Sequence, residues 1–181
     1  MQVSDRAATP DANPTGQPES SSPTQQFLRF VLGAEMYAVR IDLVREILEV
    51  VQMTPLPLMP PFVRGVMNLR GAVVPVIDLG ARLGLPVARI GRRTCVVIVD
   101  VHRHDDDSVQ TMGVLVDAVH EVFDLTATDM EPVPRLGTRI DPALIRSMVR
   151  VRGRTTPELD LGAILEQQQL AQLISQHSAA H

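Results

Sequence analysis

The chain has no lysine and no tryptophan, a single cysteine (Cys95), one tyrosine and four phenylalanines among 181 residues. One cysteine excludes an internal disulfide framework and a multi-thiolate metal site. With aromatics at 3%, a core must be assembled from Val, Ile, Leu and Met, and the β-branched share of these favours strands. All 17 basic residues are arginine, against 21 acidic ones, giving a net charge of −4 with no basic block. Nucleic-acid binding needs a basic stripe facing phosphates, so this balance argues against it. No apolar run approaches the ~20 residues of a membrane-spanning helix. "MQVSDRAATPDANPTGQPESSSPTQQ" has no apolar central region and does not read as a signal peptide. The expected location is therefore cytoplasmic.

What is present falls into three parts. Residues 1–26, rich in Pro, Ser, Thr and Gln, cannot bury enough surface to offset ordering and read as a disordered tail. Residues 27–166 carry the apolar patterning of a folded domain, and 167–181 read as a polar helical end or tail. "FLRFVLGAEMYAVRI" predicts two strands around a Gly33-Ala34 turn. In "IDLVREILEV" the spacing of Leu43, Ile47 and Val50 predicts a short amphipathic helix capped by Asp42. Prolines 55, 57, 60 and 61 then forbid helix. "FVRGVMNLRGAVVPVIDL" reads as a short apolar element, a turn and a buried strand, with Pro75 requiring an edge or a bulge. Two strong strands flank the polar loop "HRHDDDSVQ", and "SMVRVRGRTTPELDL" predicts a closing pair of strands before a helix from Leu161. "DLGARL" at Asp78–Leu83 is echoed by "DLGAIL" at Asp160–Leu165, a strand ending in an aspartate cap each time. Many short strands with turn signals predict an all-β fold of small barrels.

Catalytic signatures are sparse. No HExxH, GxSxG, phosphate-loop or dinucleotide-binding spacing occurs. His102 and His104, two apart beside Asp105, Asp106 and Asp107, could face a metal from one side of a strand. They equally suit a solvated hairpin tip whose charges block edge pairing, and no rigid flanking element fixes a coordination geometry. His120 sits on a strand that alternates apolar positions and reads as a surface residue. Cys95 reads as an inert, buried thiol. Aspartates 78, 100, 117 and 160 punctuate strands as turn formers, without a nucleophile to serve. Arg70 differs. Set between Asn68 and Gly71 in a turn, its guanidinium calls for a planar acceptor, and Glu46 is the carboxylate best placed to mate with it. A loose surface arginine is the alternative.

The ordered run "FLRFVLGAEMYAVRIDLVREILEV…FVRGVMNLRGAVVPVIDL", with the later "VVIV", "GVLVDAVHEV" and "PVP", resembles the CheW family of chemotaxis coupling proteins from Phe27 to about Leu165. The element NLRG, in order with V.EI and VPV.DL, carries the likeness. The resemblance implies two interlocked Src-homology-3-like five-stranded barrels, the last strand returning to the first half. It implies no catalysis and no cofactor, but a scaffold between methyl-accepting chemoreceptors, whose cytoplasmic tip enters a groove between the barrels, and the regulatory domain of a CheA-type histidine kinase. Contact with the membrane would come only through receptors. By motif, Arg70 and Glu46 pair to shape that groove, Val44 and Gly113 match other groove positions, and Cys95 lies on a lining strand. Leu136, after "PVP", matches an apolar kinase contact. Gly80 stands where the family often has arginine, and Pro157 with neighbouring arginines marks the final strand. The same resemblance accommodates a coupling protein of a non-motility pathway, such as surface sensing or a pilus system.

Overall fold

The computed structural model describes residues 23–50, 52–102, 106–135 and 137–166. The expected C-terminal tail, 167–181, and most of the N-terminal one lie outside this range. The first strand, β1 (Gln25–Leu32), starts two residues before the expected onset of order and turns at Gly33-Ala34 into β2 (Glu35–Arg40). The expected helix at 42–50 is absent. Ile41–Leu43 form a single 3-10 turn and Val44–Glu49 are strand β3. The apolar spacing fits both periods, and pairing of β3 with β6 decides for the strand, in which partly buried and exposed residues alternate. The remaining strands and α-helical turns are β4 (Val63–Leu69), β5 (Ala72–Asp78), α1 (Leu79–Arg82), β6 (Cys95–His102), β7 (Val109–Val116), β8 (Ala118–Leu125), β9 (Met130–Glu131), β10 (Ile145–Val151), β11 (Arg154–Leu159) and α2 (Leu161–Ile164), with further 3-10 turns at Ala127–Asp129 and Pro142–Leu144.

The strands form two sheets, in the orders β3-β6-β7-β5-β4 and β8-β1-β2-β11-β10-β9. Matched strand for strand the two are one design used twice. Among the described residues each holds one parallel pair, β5 with β7 and β11 with β2, and antiparallel pairs otherwise. The last strand thus returns to the N-terminal hairpin, as the resemblance implied. In the first sheet Thr54, just beyond β3, exchanges two backbone hydrogen bonds with Val66 of β4 (2.8 and 2.9 Å), joining the sheet's two edges into a small barrel. In the second, the two-residue β9 takes that place beside Met148.

The sequence echo is the visible part of this repetition. From Phe62 and from Leu144, 82 residues later, the chain runs through a hairpin with Arg-Gly at its turn (Arg70-Gly71 and Arg152-Gly153), then a proline (Pro75 and Pro157), then the capping aspartate. Asp78 accepts from the Ala81 N–H at 3.1 Å and Asp160 from the Ala163 N–H at 3.0 Å, each capping one helical turn. Their own N–H groups donate to Phe62 and Leu144 carbonyls. Each proline sits before the parallel pairing begins, at Val76↔Gly113 and Glu158↔Ala38, so its missing N–H leaves no gap in that ladder.

Alternation along β6 separates the cores. Val97, Val99 and Val101 point into the layer between the sheets with Leu28, Phe30, Tyr37, Val114 and Leu159, whereas Val96 and Ile98 fill the first barrel with Met67, Val76 and Leu115. A third cluster, Phe27, Ala38, Leu125, Val149 and Val151, fills the second unit. That unit also buries charge. Glu158, wholly buried, receives Arg40 Nε at 3.0 Å and Ser147 Oγ at 2.7 Å. The register places Arg40, Glu158 and Ser147 where the first barrel has Leu115, Val76 and Gly65.

Candidate functional site

The β4–β5 hairpin closes on Leu69↔Ala72 through two residues, both with positive φ: Arg70 at +52° and Gly71 at +89°. Such a turn matches strand twist, and the Asn68 side chain accepts from the Gly71 N–H at 2.9 Å to hold it. Held left-handed, a conformation uncommon outside glycine, Arg70 projects toward β3. Its Nη1 donates to Glu46 Oε2 at 2.7 Å and its Nη2 to Oε1 at 3.1 Å, a two-point clasp of guanidinium on carboxylate. The hydrogen bond and charge of Glu46 push the Arg70 guanidinium up, so it stays cationic. Arg70 is 73% exposed and Glu46 24%, so the pair lies at the protein surface.

Around the clasp the expected residues separate. Glu46, Ile98, Gly113 and Val76 form one row across β3, β6, β7 and β5. Gly113 is inside that row: a Cβ there would stand 2.9 Å from Val96 and 3.2 Å from Val76 side-chain carbons, so its role is close strand packing beneath the surface. Val44 pairs with Val99, but a bulge between Val44 and Glu46 turns them to opposite faces, and Val44 packs on the core between the sheets. Cys95 stands at the other end of β3, opposite Glu49, and is half-buried. Burial, then the Glu49 charge, push its thiol up, outweighing a backbone hydrogen bond at Val119, which keeps it a poor nucleophile. Leu136 lies outside the described residues.

Residues the sequence reasoning passed over complete the surface. The strand after Gly71, expected to be buried with an edge or bulge at Pro75, leaves Val73 70% exposed, because β5 diverges from β7 before Pro75. Val73 and Val109, also exposed, flank one cleft between those strands. Arg45 reaches Asp100 at 3.5 Å and Thr111 Oγ1 at 3.3 Å, while Thr111 donates to Asp100 at 2.8 Å. Gly65 is the third residue of β4. Its φ is +136°, and a Cβ would lie 2.3 Å from the Thr54 carbonyl oxygen that closes the barrel. The second unit repeats the clasp: Arg152, at +49° in its own Arg-Gly turn, reaches Glu121 at 3.0 Å, and Arg29 holds the other oxygen of Glu121 at 2.9 Å.

None of this has the form of a catalytic or metal centre. His120 is exposed, His104 lies outside the described residues, and among the described residues no three metal-ligating side chains converge. No helix among them is long and apolar enough to cross a membrane.

Comparison with known proteins points the same way. Residues 26–169 match the family model of the CheW-like domain. "Chemotaxis protein CheW" of Rhizobium meliloti is 31% identical over 140 residues, covering 77% of this chain and 86% of that protein. The protein of the same description from Helicobacter pylori is 34% identical over 124 residues, 68% of this chain and 72% of that one. The crystal structure of the scaffolding protein TtCheW from Thermoanaerobacter tengcongensis superposes with a TM-score of 0.70 at 30% identity, covering 80% of this chain and 94% of that one.

Proposed function

The chain belongs to the CheW-like family of non-catalytic scaffolds, and from that premise we propose that it couples the cytoplasmic tips of methyl-accepting chemoreceptors to a CheA-type histidine kinase. The protein works in the cytoplasm and reaches the membrane only through receptor arrays. The observation that carries this reading is the Arg70–Glu46 clasp. A receptor tip is a helical hairpin, and a helix docks by laying apolar side chains onto a firm surface whose polar rim fixes its register. The clasp ties the β4–β5 turn to β3, and exposed Val73 on the adjoining strand offers an apolar anchor three residues away. A guanidinium already committed to a carboxylate serves as a rigid wall at small entropic cost on docking. Contacts of this size bind weakly one at a time and hold firmly in an array.

The test is reconstitution with receptor and kinase. Arg70→Glu sets like charges together at an exposed pair, so the fold is expected to survive while receptor-stimulated kinase activity and co-sedimentation drop. Unchanged activity and sedimentation would remove the clasp from the docking surface.

A further inference from the structure

The cleft beside Val73 has a counterpart in the second unit, between β2 and β11, and the two have opposite chemistry. The first, about 400 Å³, is lined from Ala72 to Pro75 and from Ser108 to Thr111, without one ionisable side chain among the described residues. The second, about 660 Å³, lies within the volume range of small-molecule sites. Arg154 stands there in the place of Ala72, and Arg29, Arg139 and His120 share the lining, with Glu35 as the one carboxylate among the described residues. Three arginines against one glutamate leave the wall at +2 with the histidine neutral. Glu121 supplies no spare charge, being shared by Arg29 and Arg152.

The cations are not all spent. Arg139 is tied to Glu35 at 2.9 Å, but Arg154 and His120 have no ion pair or side-chain hydrogen bond among the described residues. The Arg29 side chain is only 14% exposed, and its Nε is buried without a hydrogen-bond partner among the described residues. A buried guanidinium N–H left unpaired is costly, and an acceptor supplied from outside relieves it. The backbone of this unit favours the same: its register holds Arg29 where the first barrel has the apolar Ile98.

We propose that the β2–β11 cleft is a binding site for a small anion bearing carboxylate or phosphate groups, held by Arg29 and Arg154. The site stands apart from the Arg70–Glu46 clasp and does not depend on the coupling role. The test uses the full chain labelled with ¹⁵N, following arginine Nε–Hε resonances during titration with inorganic phosphate in one arm and succinate in the other, at ionic strength held constant with chloride. The Arg29 resonance, assigned through Arg29→Lys, is expected to move saturably, and the anion with the lower midpoint identifies the phosphate or carboxylate source. Arg154→Ala, at an exposed strand end, is expected to raise that midpoint about tenfold, the loss of one charge-assisted contact. Arg92→Ala, in the loop before β6, should leave it unchanged. An Arg29 resonance that neither anion moves, that chloride moves equally, or whose midpoint is the same in Arg154→Ala would overturn the proposal.

Discussion

Gly65→Ala puts one methyl group at the seam of the first barrel. The Cβ would stand 2.3 Å from the Thr54 carbonyl oxygen and 2.8 Å from its carbon, so backbone rather than a flexible side chain must yield. Two terms add. Forcing a residue with a Cβ into this backbone region costs ~1–3 kcal/mol. Displacing Thr54 breaks its paired hydrogen bonds with Val66, each worth about 1 kcal/mol net. The sum is roughly 3–5 kcal/mol, a large share of the 5–15 kcal/mol typical of a domain. Urea unfolding followed by far-ultraviolet circular dichroism measures it, since the chain has no tryptophan to report. Gly33→Ala is the control: its φ is +62° but nothing lies within 4 Å of its Cβ, so only the backbone term, about 1–2 kcal/mol, remains. Equal losses from the two substitutions would refute the claim that the Thr54 carbonyl makes position 65 a glycine.

Two further outcomes follow from the second unit and its neighbour. Arg40→Leu strands the buried Glu158 carboxylate and is expected to cost ~3–5 kcal/mol, whereas Arg40→Leu with Glu158→Val, restoring two of the three residue types of the first barrel and leaving Ser147 without its acceptor, should cost no more than about 2 kcal/mol. Urea midpoints of the two variants decide, and a double variant as unstable as the single one would contradict the equivalence of the units. Tyr37 is the chain's sole tyrosine, and burial, reinforced by its hydrogen bond to Glu35, pushes its phenol from 10.0 up to about 12. The folded state keeps a proton that the unfolded chain loses above pH 10, so stability is unaffected below pH 10 and falls between pH 10 and about 12. Tyrosinate absorbance gives the midpoint directly, and a value of 10 in the folded protein would contradict the burial argument.

Legibility in the sequence followed the range of the interactions. Hairpins declared themselves through local chemistry, in Gly33-Ala34 and in Arg70-Gly71, and the aspartate caps through a spacing of three residues. The Arg70–Glu46 pair was within reach because both residues fall in the same predicted half of the chain and the resemblance pairs them by motif. Segment 42–50 failed because its apolar residues satisfy two periods, and the arbiter, β6, lies some fifty residues away. The resemblance assigned Val44 by motif to the same groove as Glu46, and a bulge between them turns the two to opposite faces. The depth of the repetition was also hidden. Nine of the 23 residues from 62–84 recur at 144–166, yet Glu158 in the place of Val76 is stable only because Arg40, 118 positions earlier, meets it across the β2–β11 junction.

The most direct test of the coupling role is a charge exchange at the clasp, read as receptor-stimulated kinase activity in a reconstituted array. Arg70→Glu alone is expected to lose stimulation, and Arg70→Glu with Glu46→Arg to regain most of it, because the pair is rebuilt with its partners reversed. Full stimulation by the single variant, at unchanged thermal stability, would contradict the account.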